Sequence, residues 1–225
     1  MRIIYLITTL LFLTEVSYAQ EGCHLKKNED GIKVYLCETE GSAFKTIKVQ
    51  FEAEATLIEY AAGLLDVSTY KYWQHNILNP HIIKQINDKE FIYYSEVDTP
   101  WPISHRDLIF HLKMDQDSVS QTLFVSLTQL PNYIPEKEGI VRIPKAESLL
   151  EVTPIDESRV EVNYVIHVDP GGDVPAFLAN MFAAQTPWQT FKNYRERLNS
   201  LKNENAYVPF IKNYTARTKS GNALK

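Results

Sequence analysis

The chain carries six histidines, His24, His75, His81, His105, His111 and His167. Their spacing is the first test for metal or acid–base chemistry. No pair flanks a glutamate as a zinc-binding His-Glu-x-x-His helix requires, and no other metal-ligand spacing occurs. The expectation is no metal and no cofactor. A Gly-x-Ser-x-Gly nucleophile elbow is absent. Gly171-Gly172 resembles a phosphate-cradling loop in composition, but no Lys-Ser/Thr pair follows it. Its expected role is a turn with positive φ. Asp and Glu total 28, yet spacing alone sets no pair of them for general acid–base work. No residue is assigned a catalytic role. The two cysteines, Cys23 and Cys37, could form a disulfide in an oxidising compartment, closing a loop of about 15 residues and adding about 3 kcal/mol. Two free thiols are the alternative.

The balance of the chain narrows the partners. It has 225 residues, 44% hydrophobic and 23% charged, with a net charge of −5. An acidic chain with no basic cluster is not expected to bind nucleic acid. Nor is strong attraction to anionic membrane surfaces expected. Arg2, the apolar run from Ile3 to Leu13 and Ser17-Tyr18-Ala19 together read as a secretory signal peptide over residues 1–19. The run is too short to span a bilayer, which takes about 20 residues. Export follows, to the periplasm or beyond the cell.

The elements that must position any site come from periodicity. Alternation predicts strands over residues 31–37, 44–51, 91–97, 108–114, 122–130, 140–143, 148–153 and 159–168. Thr56 and Glu59 form a capping box for a helix over residues 56–66. Asn79-Pro80 stops any helix there. After residue 172 the period changes to helical. Asp173 is the expected cap of a helix from Val174 to about Leu201, which Pro187 should kink or break. Phe177, Met181, Phe182 and Trp188 make an apolar stripe along it, and plain core packing would produce the same stripe. The tail, residues 203–225, is polar apart from Val208-Pro209-Phe210-Ile211. No linker divides the chain. The expectation is one α+β domain over residues 20–202, with about eight strands in antiparallel meander order and the long helix as cover.

Two motifs carry a family resemblance. Thr99-Pro100-Trp101-Pro102-Ile103-Ser104-His105-Arg106-Asp107 resembles the Pro-Trp-Pro…Arg-Asp signature of START domains, the StAR-related lipid-transfer family. Asp169-Pro170-Gly171-Gly172-Asp173-Val174-Pro175 resembles that family's Asp-Pro-Gly-Gly motif before its last helix. Asp30 to Tyr35 is similar to its first strand and Gly41 to Lys45 to the following turn. The resemblance spans roughly residues 28–198.

The resemblance implies a helix-grip fold, in which a curved antiparallel sheet wraps a C-terminal helix and leaves an internal apolar cavity for a lipid. It implies lipid binding, and transfer by extension, without catalysis. Transient membrane contact and a monomeric state are the matching expectations for partners. Cavity candidates are Phe110, Leu112, Met114, Tyr164, Ile166, Phe177, Met181, Phe182 and Trp188. Trp101, Arg106, Asp107, Asp169, Gly171 and Gly172 are read as structural. The strand after Arg106-Asp107 shows Leu108, Phe110, Leu112 and Met114 on one face. It lacks the buried arginine that some sterol-binding members carry there, so no sterol is expected. The alternative is a cyclase- or hydrolase-like enzyme in the same cavity, using an inward polar group such as Tyr93, Tyr164 or Glu96.

Overall fold

The computed structural model describes residues 22–101, 103–202 and 204–216. The expected signal peptide and Pro102 lie outside the described residues.

Three strands open the fold: β1 (Cys23–Glu29), β2 (Ile32–Thr39) and β3 (Ser42–Ala53). Asp30 and Gly31 link the first two with φ of 53° and 72°. Positive φ at both positions of a two-residue loop gives the turn whose twist suits paired strands. β1 has no apolar alternation, so periodicity does not reveal it. It is held by pairing with β2 and by the Cys23–Cys37 disulfide across that pair, S–S 2.04 Å.

Next comes α1 (Leu57–Leu65). The capping box is formed: Glu59 N donates to Thr56 Oγ1 at 3.2 Å, and Thr56 N donates to Glu59 Oε2 at 2.7 Å. A 3-10 turn (Val67–Thr69) and α2 (Tyr70–Trp73) order the aromatic cluster that follows. The chain then returns through β4 (Ile77–Asn87), β5 (Glu90–Val97), β6 (Arg106–Gln116), β7 (Leu123–Gln129), β8 (Val141–Arg142), β9 (Lys145–Pro154) and β10 (Val160–Asp169). Asn79-Pro80 lies inside β4, where the pairing is irregular between Leu78 and His81. An edge strand with a bulge tolerates proline because no ladder bond needs its N–H.

The sheet has ten strands, ordered β1-β2-β3-β10-β9-β7-β6-β5-β4, with β8 parallel to β6. This differs from one meander. The segment of α1 and α2 carries the chain from β3 to the far edge, so a second meander runs back until β10 pairs with β3.

The expected long helix is two helices, α3 (Ala176–Phe182) and α4 (Gln185–Leu201). Pro187 is the third residue of α4. It has no N–H to offer the Ala183 carbonyl, and its ring crowds that carbonyl, so the helix breaks at Ala183-Ala184. The N-cap of α3 is Pro175 with no side-chain cap, rather than Asp173.

α4 buries Trp188, Phe191, Tyr194, Leu198 and Leu201 against the concave face. Aromatic pairs fill that contact: Phe51–Phe191 at 5.0 Å, Trp73–Tyr194 at 4.4 Å and Tyr60–Tyr194 at 5.0 Å between ring centroids. The polar tail is packed where it is described. Val208 and Ile211 join the main core, Lys212 N donates to Gln116 Oε1 at 2.8 Å, and Ile58 N donates to Asn213 Oδ1 at 3.0 Å.

Candidate functional site

The concave face is built by strand alternation. Every second residue points inward: Leu108, Phe110, Leu112 and Met114 of β6, Phe91 and Tyr93 of β5, and Val160 and Val162 of β10 are all buried core. The cover is uneven. α4, α1 and α2 seal one half of the face. Over the other half, Tyr164, Ile166 and Val168 of β10 and Ile47 of β3 are only half-buried, although they continue the same inward rows.

α3 follows directly on this strand, yet none of its residues is buried. It is tied down through one amide: Lys45 N donates to Asn180 Oδ1 and Asn180 Nδ2 donates to Ala43 O, both at 3.0 Å. Phe177, Met181 and Phe182 are 74%, 63% and 59% exposed. These three were expected to line the interior. The helix is too short to bury an apolar stripe, and it docks by its polar residue instead. The other six cavity candidates are inward. Phe110, Leu112 and Met114 are fully packed, Tyr164 and Ile166 are half-buried, and Trp188 is buried with its Nε1 donating to Glu29 O at 3.2 Å.

The motif residues separate into two loops that meet. Asp107 faces outward and takes a bidentate ion pair from Arg142, at 2.6 and 3.0 Å, both side chains almost wholly buried. Arg142 spends its remaining donors on the carbonyls of Pro131, Ile134 and Pro135. The pair pins the segment after β7 to the sheet. Gly171 and Gly172 have φ of 66° and 63°. A Cβ on Gly171 would lie 2.7 Å from Pro144 Cδ, so the loop can cross β8 only with glycine there. Asp169 Oδ1 accepts from Gly171 N at 2.9 Å and fixes the turn. Trp101, expected to pack, is 93% exposed on the β5–β6 loop.

Among the described residues, inward polar groups are few. Burial pushes the Tyr164 phenol up to about 12, and the nearby Ser148 hydroxyl, outside hydrogen-bond geometry, offsets part of that rise. The Ser95 hydroxyl is wholly buried on β5 with no hydrogen-bond partner among the described residues. Glu96, named above as a candidate inward group, points to the outer face. There it accepts from Tyr94, Lys137 and Asn79, each at 2.8 Å. Burial raises its pKa, and those three hydrogen bonds outweigh it, leaving a net lowered value. His111 Nε2 lies 2.6 Å from Glu90 Oε1, also on the outer face. Periodicity does not mark Ser95, Ser148 or Ile47 as special. Only their place on the unevenly covered face does.

An antiparallel sheet curled about a C-terminal helix, with an apolar concave face, defines a helix-grip protein. The START domain model matches residues 17–204, and the chain belongs to that family. A Pseudomonas aeruginosa protein described as uncharacterized is 33% identical over 175 residues, covering 78% of this chain and 86% of its own length. The phosphatidylcholine transfer protein of Rattus norvegicus is 25% identical over 158 residues, covering 68% of this chain and 72% of its own length. The crystal structure of a STAR-related lipid transfer protein fragment from Xanthomonas axonopodis superposes with a TM-score of 0.74 at 31% identity, covering 80% of this chain and 99% of that one. Family and relatives together support lipid binding.

Proposed function

We propose that the chain carries a lipid on the half-covered part of its concave face, beneath α3, and hands it between membranes without chemical change. The observation that supports this reading is the inward row Ile47, Tyr164, Ile166 and Val168, apolar yet only half-buried. Apolar surface turned inward and left under-covered is the form a lipid chain completes, at about 0.8 kcal/mol per buried CH₂. α3, docked through the Asn180 amide and bearing Phe177, Met181 and Phe182 outward, is the natural gate. Its apolar side faces whatever surface delivers the cargo. The phosphatidylcholine transfer protein among the relatives makes a phospholipid the first candidate. The chain acts as a monomer in this reading, exported after loss of residues 1–19.

One experiment tests both parts. Native mass spectrometry of the protein isolated from its host is expected to show a chain beginning at Gln20 with a stoichiometric lipid. A chain retaining its first residues sinks the export reading. No co-purified lipid, together with no binding by the delipidated protein across a phospholipid, fatty-acid and neutral-lipid panel, sinks the carrier reading.

A further inference from the structure

Arg106 and Asp107 are adjacent in sequence and treated oppositely by the fold. Asp107, on the outer face, has a complete ion pair with Arg142. Arg106, one residue earlier on β6, shares the inward row of Leu108, Phe110, Leu112 and Met114. It is 5% exposed. Among the described residues, no carboxylate comes within ion-pair distance of it. Its hydrogen bonds go to two backbone carbonyls, Ser104 O and, at 3.5 Å, Gly171 O. Burial holds its pKa below the usual arginine value, and no acid restores it. A guanidinium nonetheless stays charged at any working pH. Removing such a charge from water without a counter-charge is costly.

A second orphan lies beside it. Ser95 pairs with Leu108 and Val97 pairs with Arg106 across β5 and β6, so Ser95 and Arg106 are diagonal neighbours on the same face. Diagonal positions are about 7–8 Å apart at Cα, within reach of a long side chain. Ser95 Oγ is fully buried and has no partner among the described residues. Gly172, in the loop that leads to α3, packs against this place: a Cβ on it would stand 3.6 Å from Arg106 Nη2, at ordinary contact distance. A buried cation without a counter-ion and a buried hydroxyl without a partner, on one inward face, are complementary to one thing, an oxyanion.

We propose that Arg106, with Ser95 beside it, anchors the oxyanion of an amphiphilic ligand, a phosphate or a carboxylate, whose chains lie along the half-covered inward face. This rests on the lipid-carrier reading and adds the polar end to it. A planar guanidinium meets phosphate or carboxylate through paired charge-assisted hydrogen bonds, which a neutral headgroup cannot form.

The test uses delipidated full-length mature protein and three probes built on the oleoyl chain: dioleoylphosphatidylcholine and dioleoylglycerol, with two chains each, and oleate, with one. Wild type is expected to bind at least one of the oxyanion lipids about tenfold or more tightly than dioleoylglycerol, a difference of about 1.4 kcal/mol. Which of the two it prefers separates phosphate from carboxylate. Arg106→Gln is expected to erase the preference while leaving dioleoylglycerol affinity within about twofold, and Arg106→Lys to keep part of it. If wild type binds dioleoylglycerol as tightly as the oxyanion lipids, the anchor is overturned and the carrier reading survives. If Arg106→Gln weakens all three equally, Arg106 only clamps the two loops, and the anchor is again overturned. If wild type binds none of the three, the anchor falls with the carrier reading. The wild-type comparison decides the matter even if Arg106→Gln does not fold.

Discussion

Glu96 and Asp107 are both buried carboxylates of the outer face, and both hold the segment that runs between β7 and β8. Glu96 does so through Lys137, and Asp107 through Arg142. The folded-state pKa of Glu96 lies below its usual 4.5, so the stability it contributes is present above that value. It is lost as pH falls through the lower folded value. Glu96→Gln is therefore expected to be less stable than wild type at neutral pH and to lose less stability on acidification from about pH 5 to pH 3. Urea denaturation across that range reads the difference. Parallel curves for the two proteins would contradict the role given to Glu96. The sequence marks Arg106-Asp107 as a motif, and the acidic partner is legible as structural. It does not reveal that Arg142, 35 residues on, is the mate, because a pairing between strands depends on register.

At the scale of elements, the capping box of α1 and the break imposed by Pro187 were legible, since both act through neighbours in sequence. How closely two helices approach was not. Gly63 sits where α1 meets α4. A Cβ there would lie 2.6 Å from Tyr194 Oη and 3.1 Å from its ring. Tyr194 is fully buried and donates to Tyr60 O at 2.6 Å, so it has little freedom to yield. Gly63→Ala gains up to about 1 kcal/mol of helix propensity but overpacks a core contact, which costs about 1–3 kcal/mol. The net expectation is a lower melting temperature, measured by circular dichroism. A higher one would mean that the two helices separate easily. α3 is the element whose periodicity misled. Phe177, Met181 and Phe182 have helical spacing, but spacing does not say which way a short helix turns its stripe.

Over the whole molecule, the core reaches further along the chain than composition suggests. Residues 204–216 look like a polar tail, yet Val208 and Ile211 are 3% and 4% exposed within the main cluster. A chain ending at residue 202 loses both. At about 1.5–3 kcal/mol per fully buried aliphatic side chain, the expected loss is about 3–6 kcal/mol. Chemical denaturation of the truncated chain checks this. An unchanged midpoint would show that the segment contributes nothing to the domain.

What the sequence determined by itself is local. It placed most strands, the first helix with its cap, the helix break, and two motifs whose joint resemblance named the family and hence the helix-grip fold. These rest on interactions between residues a few positions apart, or on patterns shared across a family. Tertiary structure decided the rest: the closure of β10 on β3, the packing of the tail, the outward face of α3, and the half-covered inward row. It also set apart Arg106 from Asp107, neighbours of opposite charge that a pleated strand sends to opposite faces. Among the described residues, only Asp107 met a counter-charge there. Which buried charge is compensated depends on what distant strands bring alongside, and no spacing along one strand records that.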